Sequence, residues 1–370
     1  MPNPSIEDAD RLARGVLRQR LRVKPKECVT IETFPGSLPW ATGFVREARR
    51  LGARPLLLYE DERSYWTGVD EGRAGVIGSP GENEWGTLAG SDVYIYFWGP
   101  EDLARRRRLP EKVAEKLVAF NSKWYETARR AGVRGARMGI ARVTERNAHV
   151  FGVPYAAWRD QVVAASLREP AELRASASKV AAAFERGRSV RLRHPNGTDL
   201  TLALAGRSPQ VTIGEVTPQS RRTRFGSMAS VPDATVYVAV DESTADGVLV
   251  ANRRTTTFAG QPREGGRFTF RDGSLRRASF RRGGAGFRED YRGAGAGRDR
   301  PSFLEVGLDP ALGATPLLEE AERGAVTVGV GGNAGFGGKT RVDFLAYLTV
   351  AGAELSIDGR VLARRGRVGG

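Results

Sequence analysis

Apolar and polar positions along this chain follow two different periods, and the change falls about half-way. Over residues 6–21, Leu12, Val16 and Leu21 recur at near-helical spacing behind an acidic first turn, which predicts an amphipathic helix stopped by Pro25. ECVTIET (27–33) and RPLLLY (54–59) are short apolar runs of the buried-strand type, and residues 38–51 between them read as a helix ending at Gly52. Strand, helix and strand with short connections form a right-handed parallel unit. SDVYIYFW (91–98) and ARMGIA (136–141) predict two further strands after a Gly-rich interval, with helices over 112–131, 154–167 and 170–186. Residues 1–187 therefore read as an α/β N-terminal domain, a doubly wound layer.

From about residue 189 the period shortens. Segments 191–193, 200–204, 235–240, 247–251, 266–270 and 275–280 have strand character, separated by turn signals such as Asn196-Gly197, Asp246-Gly247 and Asp272-Gly273. Residues 188–370 are thus expected to form a β-rich α+β C-terminal domain, largely antiparallel. Residues 281–300, RRGGAGFREDYRGAGAGRDR, carry almost no core-forming side chains and predict a mobile Arg/Gly-rich loop or a segment ordered only by a partner. The stretch 324–347, GAVTVGVGGNAGFGGKTRVDFLAY, reads as strand, glycine-dense loop carrying Asn333, and strand. Such an arrangement builds sites, because glycine lets main chain approach a ligand closely.

Charge modifies this picture less than its size suggests. The net charge is +15, from 58 Lys+Arg against 43 Asp+Glu. Yet the arginine clusters at 105–108, 221–224 and 276–282 lack the interleaved aromatics that stack bases and match no nucleic-acid motif. We read them as solvated surface facing an acidic partner rather than nucleic acid. No run of about eighteen or more apolar residues occurs, and MPNPSIEDADRLARG lacks the layout of a signal peptide, so no membrane association and a cytoplasmic location are expected. The single cysteine, Cys28, opens a predicted buried strand and has no intrachain disulfide partner.

Several segments together resemble the thermophilic metallo-aminopeptidase (aminopeptidase T) family. They are VKPKECVTIET (23–33), SDVYIYF (91–97), GRSVRLRHPNGTDLTLALAGR (187–207), VPDATVYVAVDESTADGVLV (231–250), LEVGLDP (304–310) and LSIDGRVL (355–362), in the family's order. The resemblance implies an aminopeptidase T-like fold, a homodimer, and two metal ions held in the C-terminal domain. The family's ligands are glutamates, histidines, an aspartate and a tyrosine. At its first glutamate this chain has Thr235, and an ungapped count back from Asp309-Pro310 puts Phe303 at the second, with Glu305 two residues away. Thr327 stands at the first histidine, and the final His-x-Asp pair falls on Leu345 and Tyr347.

Only two histidines occur, His149 and His194, and neither lies among those positions. Zinc, cobalt or iron sites of this type need imidazole and carboxylate donors converging on one point, so no metal and no other cofactor is expected. The resulting expectation is a non-catalytic, peptide-binding protein, an accessory to peptide maturation or natural-product biosynthesis, with partner enzymes and an acidic peptide favoured by the charge. Thr235, Phe303, Thr327, Asn333 and Leu345 would line its cleft. The alternative is an active aminopeptidase-like hydrolase using Glu305, Asp343 or Tyr347, with Glu305 and Asp343 as a carboxylate pair.

Overall fold

The computed structural model describes residues 4–71, 80–106, 108–222, 226–255 and 262–369. Arg107 and the Thr223-Arg224 part of the second arginine cluster lie outside the described residues. The chain divides into two compact units, Met1–Pro170 with Gly214–Pro232, and Ala171–Ile213 with Asp233–Gly370.

Strands β1 (Cys28–Thr33), β2 (Arg54–Tyr59), β3 (Val93–Phe97) and β4 (Arg134–Met138) belong to the first unit. Then β5 (Ser189–His194), β6 (Thr198–Ala203) and β7 (Gln210–Thr212) lie in the second, and β8 (Met228–Val231) returns to the first. The remaining strands, all in the second unit, are β9 (Thr235–Ala239), β10 (Asp246–Val250), β11 (Arg267–Arg271), β12 (Ser274–Ser279) and β13 (Pro301–Gly307). They continue with β14 (Val326–Gly331), β15 (Leu345–Val350), β16 (Glu354–Ile357), β17 (Arg360–Arg364) and β18 (Arg367–Val368).

The first unit is a parallel sheet in the order β2-β1-β3-β4-β8. Val29, Ile31, Val93, Ile95, Phe97 and Met138 are buried, as expected of strands covered on both faces. Phe44 of helix Leu38–Arg50 meets Phe97 edge-on at 5.3 Å. Gly135 is required where β4 passes β3, because a Cβ there would lie 2.0 Å from the carbonyl oxygen of Tyr94. The interval read only as Gly-rich holds two short helices, Glu62–Asp70 and Glu82–Ala89.

The second unit has two antiparallel sheets, β12-β11-β10-β6-β5-β16-β17-β18 and β15-β14-β13-β9-β7. One core joins them, with Leu200, Leu249 and Phe268 from the first sheet and Val236, Leu304, Val328 and Leu348 from the second. Helix Pro170–Arg186 contributes Leu173, Ala177, Val180 and Phe184 to that core. By Cα proximity this helix thus groups with the second unit, and the chain returns to the first unit over Gly214–Pro232.

Residues 284–293, expected to be part of a structureless loop, form a helix (Gly284–Gly293). Phe287 anchors it, 3% exposed, with the rings of Phe268, Phe280 and Phe344 at 5.7, 5.0 and 5.7 Å. A buried aromatic, with Tyr291 stacked on it one turn on, fixes a helix whose other residues are glycine, one alanine and charge. Among the described residues, no helix is long and apolar enough to cross a membrane. Replacing this anchor, Phe287→Ala, should destabilise the second unit by about 3–5 kcal/mol, measured by urea unfolding with segment-resolved hydrogen exchange.

Candidate functional site

The site lies on one face of the five-stranded sheet, and strand alternation decides what it contains. Glu305 of β13 lies opposite Tyr237 of β9 and Thr327 of β14, and Thr327 lies opposite Thr349 of β15. Tyr347 faces Gly329 across the β14–β15 ladder, and Thr212 faces Thr235 across β7–β9. Since side chains alternate along a strand, Thr235, Tyr237, Phe303, Glu305, Thr327, Leu345, Tyr347 and Thr349 share one face. Their sequence neighbours Val236, Val238, Leu304, Val306, Val326, Val328, Ala346 and Leu348 point into the core. The five positions that the resemblance aligns with metal ligands, Thr235, Phe303, Thr327, Leu345 and Tyr347, are thus brought together.

The hydroxyls on this face satisfy one another. Thr327 and Thr349 are 2.9 Å apart through their Oγ1 atoms, and Thr212 and Thr235 2.8 Å apart. Phe303 fills space left by the missing side chain of Gly329, where a Cβ would sit 2.4 Å from its ring. The ring packs at 4.8 Å from Phe336 and 6.4 Å from Tyr347, and Phe336 meets Tyr237 edge-on at 5.4 Å. Leu345, at the start of the edge strand β15, is 42% exposed.

Glu320 completes the site. It lies in the short 3-10 turn Glu319–Ala321, which the amides of Asp309 and Arg323 tie to the end of β13. Gly307 lets that turn approach, for a Cβ there would lie 2.2 Å from the carbonyl oxygen of Glu322 and 2.3 Å from that of Glu320. Both glutamates keep some surface in contact with solvent as whole residues, while protein atoms enclose their carboxyls. Burial, the larger effect, and repulsion from Glu320 push Glu305 up to about 8, against a hydrogen bond from Thr235. Burial pushes Glu320 up to about 7. Both shifts favour the protonated carboxyl, and the charge of Glu320 makes ionising Glu305 harder still.

Burial, together with the charges of Glu320, Glu319 and Glu305, also holds the Tyr347 phenol well above its ordinary value. Tyr237 is pushed up to about 12 by burial and by Asp233 and Glu305. Both shifts favour the neutral phenol, a hydrogen-bonding group at physiological pH.

Two expectations change. The carboxyl partner of Glu305 is Glu320, whereas Asp343 is exposed in the turn ahead of β15. Asn333 is buried and its side chain is used within the glycine loop: its Nδ2 donates to Glu242 and to the Ser302 carbonyl, and its Oδ1 accepts from the Thr340 amide. Glu242 anchors that loop. Burial opposes its charge, but Arg207, the Lys339 amide and Asn333 hold its carboxyl down to about 2. The outer edge of β15 is not free either, because the carbonyls of Thr349 and Tyr347 accept from the Arg253 amide and the Thr255 hydroxyl.

Glu320 escaped the sequence reading. Its signal was Glu319, Glu320 and Glu322 crowded just ahead of a buried strand in an arginine-rich chain. Glu322 is accounted for by a two-pronged ion pair with Arg253, at 2.6 and 2.7 Å. The two histidines lie elsewhere: His149 is exposed on helix Glu145–Phe151, and the Nδ1 of His194 accepts the Asn196 amide in the β5–β6 turn.

Two solved structures match nearly the full length of the chain. Wild-type AmpT, the aminopeptidase T of Thermus thermophilus, is 18% identical with a TM-score of 0.68, covering 98% of this chain and 99% of that one. The chain has an aminopeptidase-T-like fold. The 2,5-dihydroxypyridine dioxygenase of Pseudomonas putida is 14% identical with a TM-score of 0.61, covering 99% and 98%. No family model matches the chain, and no curated protein matches it.

The sheet face carries two carboxyls, two phenols and several threonines, and the histidines that the resemblance implies for a metal pair are not among them, since His149 and His194 lie elsewhere. Among the described residues, no group of three or more His, Cys, Asp and Glu side chains could hold a metal ion.

The raised carboxyls have a measurable consequence. A carboxyl whose folded value lies above its unfolded value near 4.5 adds stability at low pH and loses it as pH rises through the folded value. Stability should therefore fall between about pH 4.5 and 8, and Glu305→Gln should flatten that fall in chemical denaturation. Glu32 and Glu60 of the first unit, raised to about 7 mainly by burial, add a slope of the same sign, so wild type and variant must be compared directly.

Proposed function

We propose that the protein binds a peptide by its cationic amino end, with Glu305 and Glu320 receiving the ammonium group and no metal ion taking part. The observation carrying this reading is the enclosed carboxyl pair, for which no ion-pair partner exists among the described residues. An ammonium ion placed against the pair would supply the missing countercharge and displace a proton. The threonine hydroxyls and the Tyr237 and Tyr347 phenols offer neutral hydrogen-bonding groups for the adjoining peptide unit, and the Phe303–Phe336 pair offers an apolar wall for a first side chain. The aminopeptidase-like scaffold is consistent with a peptide as the bound molecule. An accessory part in peptide maturation then requires binding alone.

A second reading draws on the same pair. Two carboxyls sharing a proton are also a general acid and base in one unit, as in metal-free peptide hydrolysis. On that reading Glu305 and Glu320 would activate water and protonate the departing amine, with Tyr347 as a hydrogen-bond donor.

Calorimetry separates these cases. Binding of a short peptide at pH 7 should release up to about one proton per complex, read from the enthalpy in buffers of different ionisation heat. EDTA should leave the affinity unchanged, and Glu305→Gln should abolish proton release and weaken binding by about tenfold or more. Binding without proton release, or binding lost with EDTA, defeats the amino-end reading. Free amino acid released in EDTA and lost in Glu305→Gln, detected by mass spectrometry, favours hydrolysis.

A further inference from the structure

A second groove in the same unit lies far from neutral. It is a cavity of about 240 Å³, separate from a larger one of about 390 Å³ in the first unit. This smaller cavity runs between strand β12 and helix Gly284–Gly293. Leu275, Arg276, Arg277 and Ala278 line it from the strand. Four consecutive residues of one strand can line a groove only if the strand presents its edge, because consecutive side chains point to opposite faces. β12 is the terminal strand of its sheet. Apart from pairing with β11, the main chain of Arg276, Arg277, Ala278 and Ser279 makes no backbone hydrogen bond among the described residues.

The opposite wall is a helix stripe, Phe287 and Arg288 with Tyr291 and Arg292 one turn on. Arg276, Arg277, Arg288 and Arg292 are exposed, whereas Phe287 is buried and Leu275 nearly so. The helix's acidic residues, Glu289 and Asp290, fall on its other side by the helical period, and Asp290 pairs with Arg263. Among the described residues, these four arginines make an ion pair at Arg276, with Asp272 at 3.9 Å, and Asp272 is itself largely exposed.

We infer that this groove takes an extended acidic peptide segment, which adds as a strand to the edge of β12 while its carboxylates pair with the arginines. Main-chain bonding to an open edge gives affinity, and the side-chain pockets give selectivity. The guanidinium forks favour carboxylates of the segment, and the apolar floor favours alternate aliphatic side chains. A nucleic acid fits less well, because the aromatic faces are already covered: Tyr291 stacks on Phe287 at 5.6 Å and meets Phe344 edge-on at 5.5 Å. This inference stands apart from the carboxyl-pair site.

The test uses the full chain and a fluorescein-labelled peptide of about eight alternating Glu and Val residues, followed by anisotropy. Saturable binding at micromolar concentration is expected, weakened at least about tenfold by Arg277→Glu with Arg288→Glu and left intact by acetylation of the peptide's amino end, which the carboxyl-pair site requires free. Arg277→Gln with Arg288→Gln gives a milder control, and thermal unfolding of each variant reports that the fold persists. The same peptide with alternate amides N-methylated should lose affinity to a similar degree, since strand addition needs those donors. Binding indifferent to both the arginine reversals and N-methylation overturns the proposal, as does displacement of the peptide by a single-stranded oligonucleotide of equal charge at lower concentration.

Discussion

The second unit depends on the two-residue period of β13. Leu304 and Val306 of that strand enter the core, and Phe303 and Glu305 therefore stand on the opposite face. A slip of one residue would drive Glu305 into a cluster of valines and leucines, where no hydroxyl could reach it. The same strand ends at Gly307, whose lack of a side chain admits the turn carrying Glu320. Register and one close approach thus create the carboxyl pair, with neither residue lying in a loop of its own choosing.

Enclosing two carboxyls without a cation is unfavourable, since an uncompensated buried charge costs several kcal/mol (roughly, after relaxation). The upward shift of both carboxyls, which favours their neutral form, is how the folded chain limits that cost. Packing does not demand this solution. Phe303, one strand position away on the same face, shows that an apolar ring can fill space there against Gly329 and Phe336. Acids placed where a hydrocarbon would fit are more economically explained by something they bind than by the stability of the sheet.

The parallel layer was legible because fully buried strands read as unbroken apolar runs, as in VYIYF at Val93–Phe97. The antiparallel half was legible through its turns, and Asn196-Gly197 and Asp272-Gly273 sit where strands reverse. Shared orientation of Thr235, Phe303, Thr327, Leu345 and Tyr347 followed from aligning them and from period two. Helix Gly284–Gly293 was hidden, because its one anchor, Phe287, gains its value from rings at 268, 280 and 344 that are distant in sequence. Glu320 was hidden for a similar reason: nothing local marks which of three neighbouring glutamates turns inward. Strand β8 was missed because Met228–Val231 is four residues long and joins its sheet only after the chain has passed through the second unit.

The two full-length structural neighbours carry different activities in their names, one an aminopeptidase and one a dioxygenase, on a fold this chain shares. Backbone geometry therefore leaves the chemistry open. The chemistry this chain offers lies in the content of one sheet face and one sheet edge. The face concentrates acid at Glu305 and Glu320 inside a protein of net charge +15. The edge concentrates base at Arg276, Arg277, Arg288 and Arg292. Uniform solvated charge would leave neither extreme. Segregating the two signs within one unit gives each site a preference for ligand groups of opposite charge, and a peptide, which carries both signs on one flexible chain, is the class of molecule able to use such polarity.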